Sequence, residues 1–126
     1  MARTIKLFMT RGDTRAFPLI AKRQDNSIID LTGAVVWFTA KRSPTDSDAD
    51  AIFQLSSAGA GITIDDAEAG LMTATVDPAD TSALSATVHT LVYGVQVVEA
   101  DDTVTTTQSG PLIVSPDVTI STSLLS

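Results

Sequence analysis

Apolar residues in this chain recur at every second position, in short runs separated by Gly, Pro, Asn and Asp. Period two is the strand period, because successive side chains of an extended backbone point to opposite faces. The runs fall at residues 5–10, 14–21, 34–42, 51–56, 62–65, 71–76, 90–100 and 103–114. Pro18 removes a backbone donor from the second run and so predicts an edge strand there. Residues 24–27 read as a turn, 43–50 as a polar acidic loop, and 101–102 as the link of a hairpin. Asp77 before Pro78 reads as an N-cap and a first helical position, predicting one helical turn over 78–84. No helical period of useful length, repeat or linker interrupts this pattern. About seven to nine strands spaced by about 8–12 residues predict an all-β sandwich. Residues 1–114 make a single domain, and 115–126 an extended Ser/Thr-rich tail or arm.

The same period sorts the faces. Val36, Phe38 and Ala40 share one side of their strand, and Val35, Trp37 and Thr39 the other. Leu91, Tyr93, Val95 and Val97 oppose Val92, Gln96 and Val98, while Leu112 and Val114 oppose Ile113. An antiparallel sheet normally turns one face to water. Phe8, Ile20, Trp37, Val92, Val98 and Ile113 are therefore surplus to one core. Together with Leu124 and Leu125 of the tail they form the candidate interface, an apolar patch that meets another protein. The competing reading is that a loop of the same chain covers the second face.

Composition narrows the class. At 126 residues the chain can bury a core without crosslinks, and with no cysteine it has neither disulfides nor thiolate metal sites. The net charge is −7, and all eight Lys and Arg lie at or before Arg42, so the first third is basic and the rest acidic. That balance lacks the footprint of a nucleic-acid or anionic-membrane binder. The charge split is of the kind that orients subunits head to tail. No run is long and apolar enough for a membrane helix, and the start lacks the apolar core of a signal peptide. The expectation is synthesis in a reducing cytoplasm and, if the protein leaves the cell, exit inside a particle or after lysis.

Candidate chemistry is sparse. His89 is the single histidine and stands just before a strand, and the serines sit in no Gly-x-Ser-x-Gly elbow. Asp46-x-Asp48-x-Asp50 opens like a calcium loop, but Ala51 stands where glycine is needed and Ser57 where the bidentate glutamate belongs. Arg11-Gly12-Asp13 reads as a turn between strands. Gly59-x-Gly61 opens no helix and so cradles no phosphate. Gly70 is placed to supply a positive φ before the next strand. The sequence therefore predicts no catalytic residue, no metal site and no cofactor.

Three segments carry a family likeness. They are Ile29-Asp30-Leu31-Thr32-Gly33-Ala34 leading to Val36 and Phe38; Val76-Asp77-Pro78-Ala79-Asp80-Thr81 with Leu84 and then Tyr93-x-Val95-Gln96-Val97; and Val104-Thr105-Thr106-Thr107 with Gly110, Leu112, Val114 and Asp117-Val118-Thr119. In order and spacing they resemble the N-terminal domain of the phage upper-baseplate protein and its small relatives among phage tail and virion proteins. The resemblance implies an immunoglobulin-like antiparallel sandwich. It also implies a nonenzymatic role as a tail or baseplate subunit or adaptor, or as a capsid-decorating protein. The implied partners are other virion proteins and copies of itself in a homo-oligomeric particle. The expectation is a stand-alone domain, without the long extension by which the baseplate protein holds receptor-binding subunits. A carbohydrate-binding or adhesion module is the alternative; aromatics make up only 5% of the chain, with one Trp and one Tyr, which counts against it, and an exposed Trp37 beside acids would favour it.

Overall fold

The computed structural model describes residues 3–23, 25–82, 84 and 87–116. Among these are nine strand segments. The larger sheet has the order β1-β9-β8-β4-β5, with β2 also on the outer side of β9, and the smaller sheet has the order β3-β7-β6. In chain order they are β1 (Arg3–Thr4), β2 (Leu7–Thr10), β3 (Arg15–Ile20), β4 (Val35–Lys41), β5 (Phe53–Ser56), β6 (Ile62–Asp66), β7 (Leu71–Val76), β8 (His89–Val98) and β9 (Val104–Ser115). This is the strand arrangement of an immunoglobulin-like sandwich, with β9-β8-β4-β5 facing β3-β7-β6.

The eight predicted runs lie within one or two residues of β2 to β9, and β1 falls outside them. Pro18 does sit in an edge strand, opposite Thr73. A helix, α1 (Pro78–Thr81), joins β7 to β8, and the Asp77 N–H donates to the Asp80 carboxylate at 2.8 Å. Gly70 has φ +69°, as its place before β7 requires. Four details differ from expectation. The helical turn expected over 78–84 ends at Thr81. The loop over 43–50 contains a 3-10 turn at Asp48–Asp50, His89 begins β8 instead of preceding it, and β9 runs one residue past the expected domain end, to Ser115.

The pairing is also not wholly antiparallel: β1 and β2 both run parallel to β9. Alternation along a strand carries no information about the direction of its neighbour. The chain breaks at Ile5–Lys6, between β1 and β2, and β9 explains why. The carbonyls of Ser109 and Ser115 accept from Ile5 and Arg11, so alternate residues of β9 aim their polar groups at the N-terminal segment. Pro111 belongs to that set and has no N–H to give. The N-terminal strand therefore lets go of β9 there and rejoins it at Leu112, opposite Leu7. Gly110 makes room for the crossing, since a Cβ on it would lie 2.5 Å from the Ile5 oxygen.

Between the sheets lies one apolar core. Phe38 is its centre, stacked on Phe17 of the opposite sheet at 6.2 Å, on Phe53 at 5.9 Å and on Tyr93 at 5.2 Å between ring centroids. Val36, Phe38, Ala40, Leu91, Tyr93, Val95, Val97, Leu112 and Val114 all point inward and are buried. The predicted sorting of faces therefore holds. One irregularity was not foreseen. The β8–β9 register shifts between Val95 and Gln96, which leaves both Thr107 and Gln108 buried. Tyr93 resolves part of that polarity, as its hydroxyl accepts from Gln108 Nε2 at 2.8 Å and donates to the Ile5 carbonyl at 2.6 Å.

Candidate functional site

The outward face of the larger sheet collects five of the six predicted surplus residues from the strands. Phe8 lies opposite Ile113, and Ile113 opposite Thr90. At the far end of the sheet, Val35 faces Val98 and Val98 faces Val104. Phe8 is 58% exposed and Val104 56%, while Ile113, Val92, Val98 and Trp37 are half-buried. The face thus has an apolar row at each end. Ile20 is not part of it: it stands on the outer side of the smaller sheet, opposite Leu71. The period-two pattern shows which residues leave the core but not which sheet they leave from. Leu124 and Leu125 lie outside the described residues.

Between the two rows is a groove of about 690 Å³. Its floor is Gly94, which pairs with Thr39 on β4 and with Ser109 on β9. Trp37 sits diagonally across from Gly94, beside Gln96. Gln54, Thr106 and Pro111 complete the rim, and Lys41 and Asp48 close one end. Lys41 Nζ lies 2.9 Å from Asp48 Oδ1 and donates to the Asp46 carbonyl at 2.9 Å. The hydrogen bond from Lys41, and then its charge, hold the Asp48 carboxyl below the usual carboxylate range. The Lys41 side chain is 17% exposed and the Asp48 side chain 73%, so the pair cancels its net charge while the carboxylate still faces solvent. Strand order in sequence said nothing of this juxtaposition. The one readable signal was Gly94, a glycine in the interior of an otherwise well-patterned strand.

The acidic loop is occupied with its own chain. Asp46 accepts from the Ser43 N–H, Asp48 pairs with Lys41, and Asp50 accepts from the Ser47 hydroxyl. Among the described residues no three His, Asp or Glu side chains converge as metal ligands. Arg11-Gly12-Asp13 forms the turn between β2 and β3 and is held to the α1 corner. Arg11 Nε donates to the Leu84 carbonyl at 2.6 Å, and the Gly12 N–H to the Thr81 hydroxyl at 2.9 Å. His89 is half-buried, with Thr87 Oγ1 at 3.4 Å.

Charge is distributed unevenly over the flanks. Lys6, Arg11 and Arg15 border β2 and β3, which are tied together by Arg15 Nε donating to the Phe8 carbonyl. Asp65 and Asp66 end β6, at the opposite edge of the smaller sheet from β3. The Lys6 ammonium lies 6.0 Å from the centre of the Phe8 ring, a cation over an exposed aromatic face.

The class that fold and surface define is an immunoglobulin-like sandwich with an outward sheet face of mixed character. No protein-family model matches the chain, and no curated protein matches it in sequence.

Proposed function

We propose that this chain is a nonenzymatic structural subunit of a bacteriophage particle, a tail or baseplate subunit or adaptor or a capsid-decorating protein, acting by association with other virion proteins and with copies of itself. The observation that carries the assembly half of this reading is the outward face of the larger sheet. Phe8, Ile113, Val98 and Val104 turn away from a core that is already complete without them. Apolar rows of this kind gain free energy only when a second surface covers them. The basic β2/β3 flank and the acidic end of β6 give a self-complementary pair of surfaces for repeated contacts. The phage half of the reading rests on the three segments described above, from Ile29 to Thr119.

The test is electron microscopy of phage particles carrying a gold label directed at this chain. Label at regular positions is expected, on the head for a decorating protein or on the tail for a baseplate or tail subunit. Replacing Phe8 with Glu should remove the label while leaving the isolated chain folded. Unlabelled particles, together with a chain that stays monomeric at high concentration, would overturn the proposal.

A further inference from the structure

Gly94 lies in the middle of β8, paired on both sides, one residue before the β8–β9 register shift, and it does not have a positive φ that would require glycine. A Cβ built on it meets no atom within 4 Å. Glycine weakens a strand interior and marks a bulge, a bend or a place where another group approaches the backbone closely; the open space over Gly94 favours the last. What lies above Gly94 is the groove beside Trp37. Trp37, Gln96, Thr106 and Ser109 line it, and their side chains make no hydrogen bond among the described residues. Its only charged pair, Lys41 with Asp48, is already satisfied within the chain.

We propose that this groove is a binding site for a neutral oligosaccharide, with one sugar ring seated over Gly94 against the face of Trp37. A pyranose ring offers an apolar C–H face and a rim of hydroxyls that both donate and accept. The groove offers the complement: one half-buried indole, amides that donate and accept, hydroxyls that do both, and no uncompensated charge. Other ligand classes fit worse. A net charge of −7 repels nucleic acid and acidic glycans. An extended peptide adds to a sheet through a free edge. The strands under the groove, β4 and β8, are interior, with their neighbours already in place. An amphipathic helix needs a broad apolar trough, and this floor is a glycine between a threonine and a serine. The site uses the centre of the face, whereas the assembly rows are at its two ends, so the proposal stands apart from the virion reading.

The chain has a single tryptophan, so its emission reports on this groove alone. The purified protein is titrated with maltoheptaose, cellopentaose, chitopentaose and mannopentaose, and screened on an array of neutral bacterial glycans. A saturable change in Trp37 emission is expected with at least one of them. Gly94→Leu should fill the groove and weaken that binding at least tenfold, with its melting temperature unchanged or raised because the added side chain enters open space. Gln96→Ala should weaken it several-fold. The proposal is overturned if no neutral glycan binds, if an unstructured peptide or a heparin fragment binds in preference, or if binding is indifferent to Gly94→Leu. None of these results touches the particle-labelling experiment, so either reading can fail alone.

Discussion

Replacing Tyr93 with Phe removes a single oxygen atom from the core, and the structure says what that atom holds. The residue is 4% exposed, and its hydroxyl adds a side-chain link between two partners that the β1–β9 pairing already places side by side: the Ile5 carbonyl at the break between β1 and β2, and the amide of Gln108 beside the β8–β9 irregularity. The ring itself stays, so the 5.2 Å stack on Phe38 and the core volume are unchanged. The cost is therefore purely polar. A neutral hydrogen bond contributes about 1 kcal/mol net, and a buried donor left without an acceptor costs about 1–3 kcal/mol more. Gln108 is also 4% exposed and is left in that position. The expected loss is about 2–4 kcal/mol, a large share of the roughly 5–15 kcal/mol that holds a domain together. Urea unfolding should show a lower midpoint at an unchanged slope, and the melting temperature should fall by about 10 °C. Amide exchange should speed up first in Leu7–Thr10, because the hydroxyl anchors the connector that leads into β2. The double variant Tyr93→Phe, Gln108→Leu should regain part of the loss, since the buried Gln108 amide is then gone and only the part-buried Ile5 carbonyl lacks its donor. A loss below about 0.5 kcal/mol for Tyr93→Phe, or a double variant no more stable than the two single losses added, would refute the reasoning.

Phe38→Ala should cost about 3–5 kcal/mol, because it removes the ring on which Phe17, Phe53 and Tyr93 all stack; a loss under about 2 kcal/mol by urea unfolding would mean the core collapses around the gap. Gly110→Ala should destabilise by about 1–3 kcal/mol, since φ is +148° and the new Cβ meets the Ile5 oxygen; unchanged amide exchange in the N-terminal segment would contradict this. Asp25, Asp30, Asp48 and Asp101 are all held below their ordinary value of 3.8, in first place by side-chain hydrogen bonds from Ser27, Thr32, Lys41 and Thr103 respectively. A carboxyl whose folded pKa is depressed contributes stability above its unfolded pKa and loses it as pH falls through the folded one. Stability should therefore be flat from neutral pH down to about 4 and decline below it, and an acid transition centred above about pH 5 in circular dichroism would count against these four turns.

Much of this molecule was legible in its residue order, for a reason that is local. Side-chain alternation is imposed by the backbone of each strand alone, so Val36-Phe38-Ala40 and Leu91-Tyr93-Val95-Val97 could be assigned to the core before any partner strand was known. The edge position of Pro18, the cap at Asp77, the positive φ at Gly70 and the turn at Arg11-Gly12-Asp13 follow from the same short-range chemistry. Pairing partners and strand direction are different, because they depend on residues far apart in the chain. The parallel docking of β1 and β2 on β9 joins the two ends of the described chain, and only the folded structure shows that Pro111 and Gly110 dictate where that docking breaks. The same holds for the groove. Trp37, Gly94 and Ser109 come from three strands, β4 and β8 in unbroken register and β9 shifted against β8 between Val95 and Gln96, so no pattern within one strand places them together. The sequence by itself determined which side chains leave the core. The tertiary structure decided that five of them share one sheet face, that Ile20 does not, and that a bare glycine lies at the centre of that face.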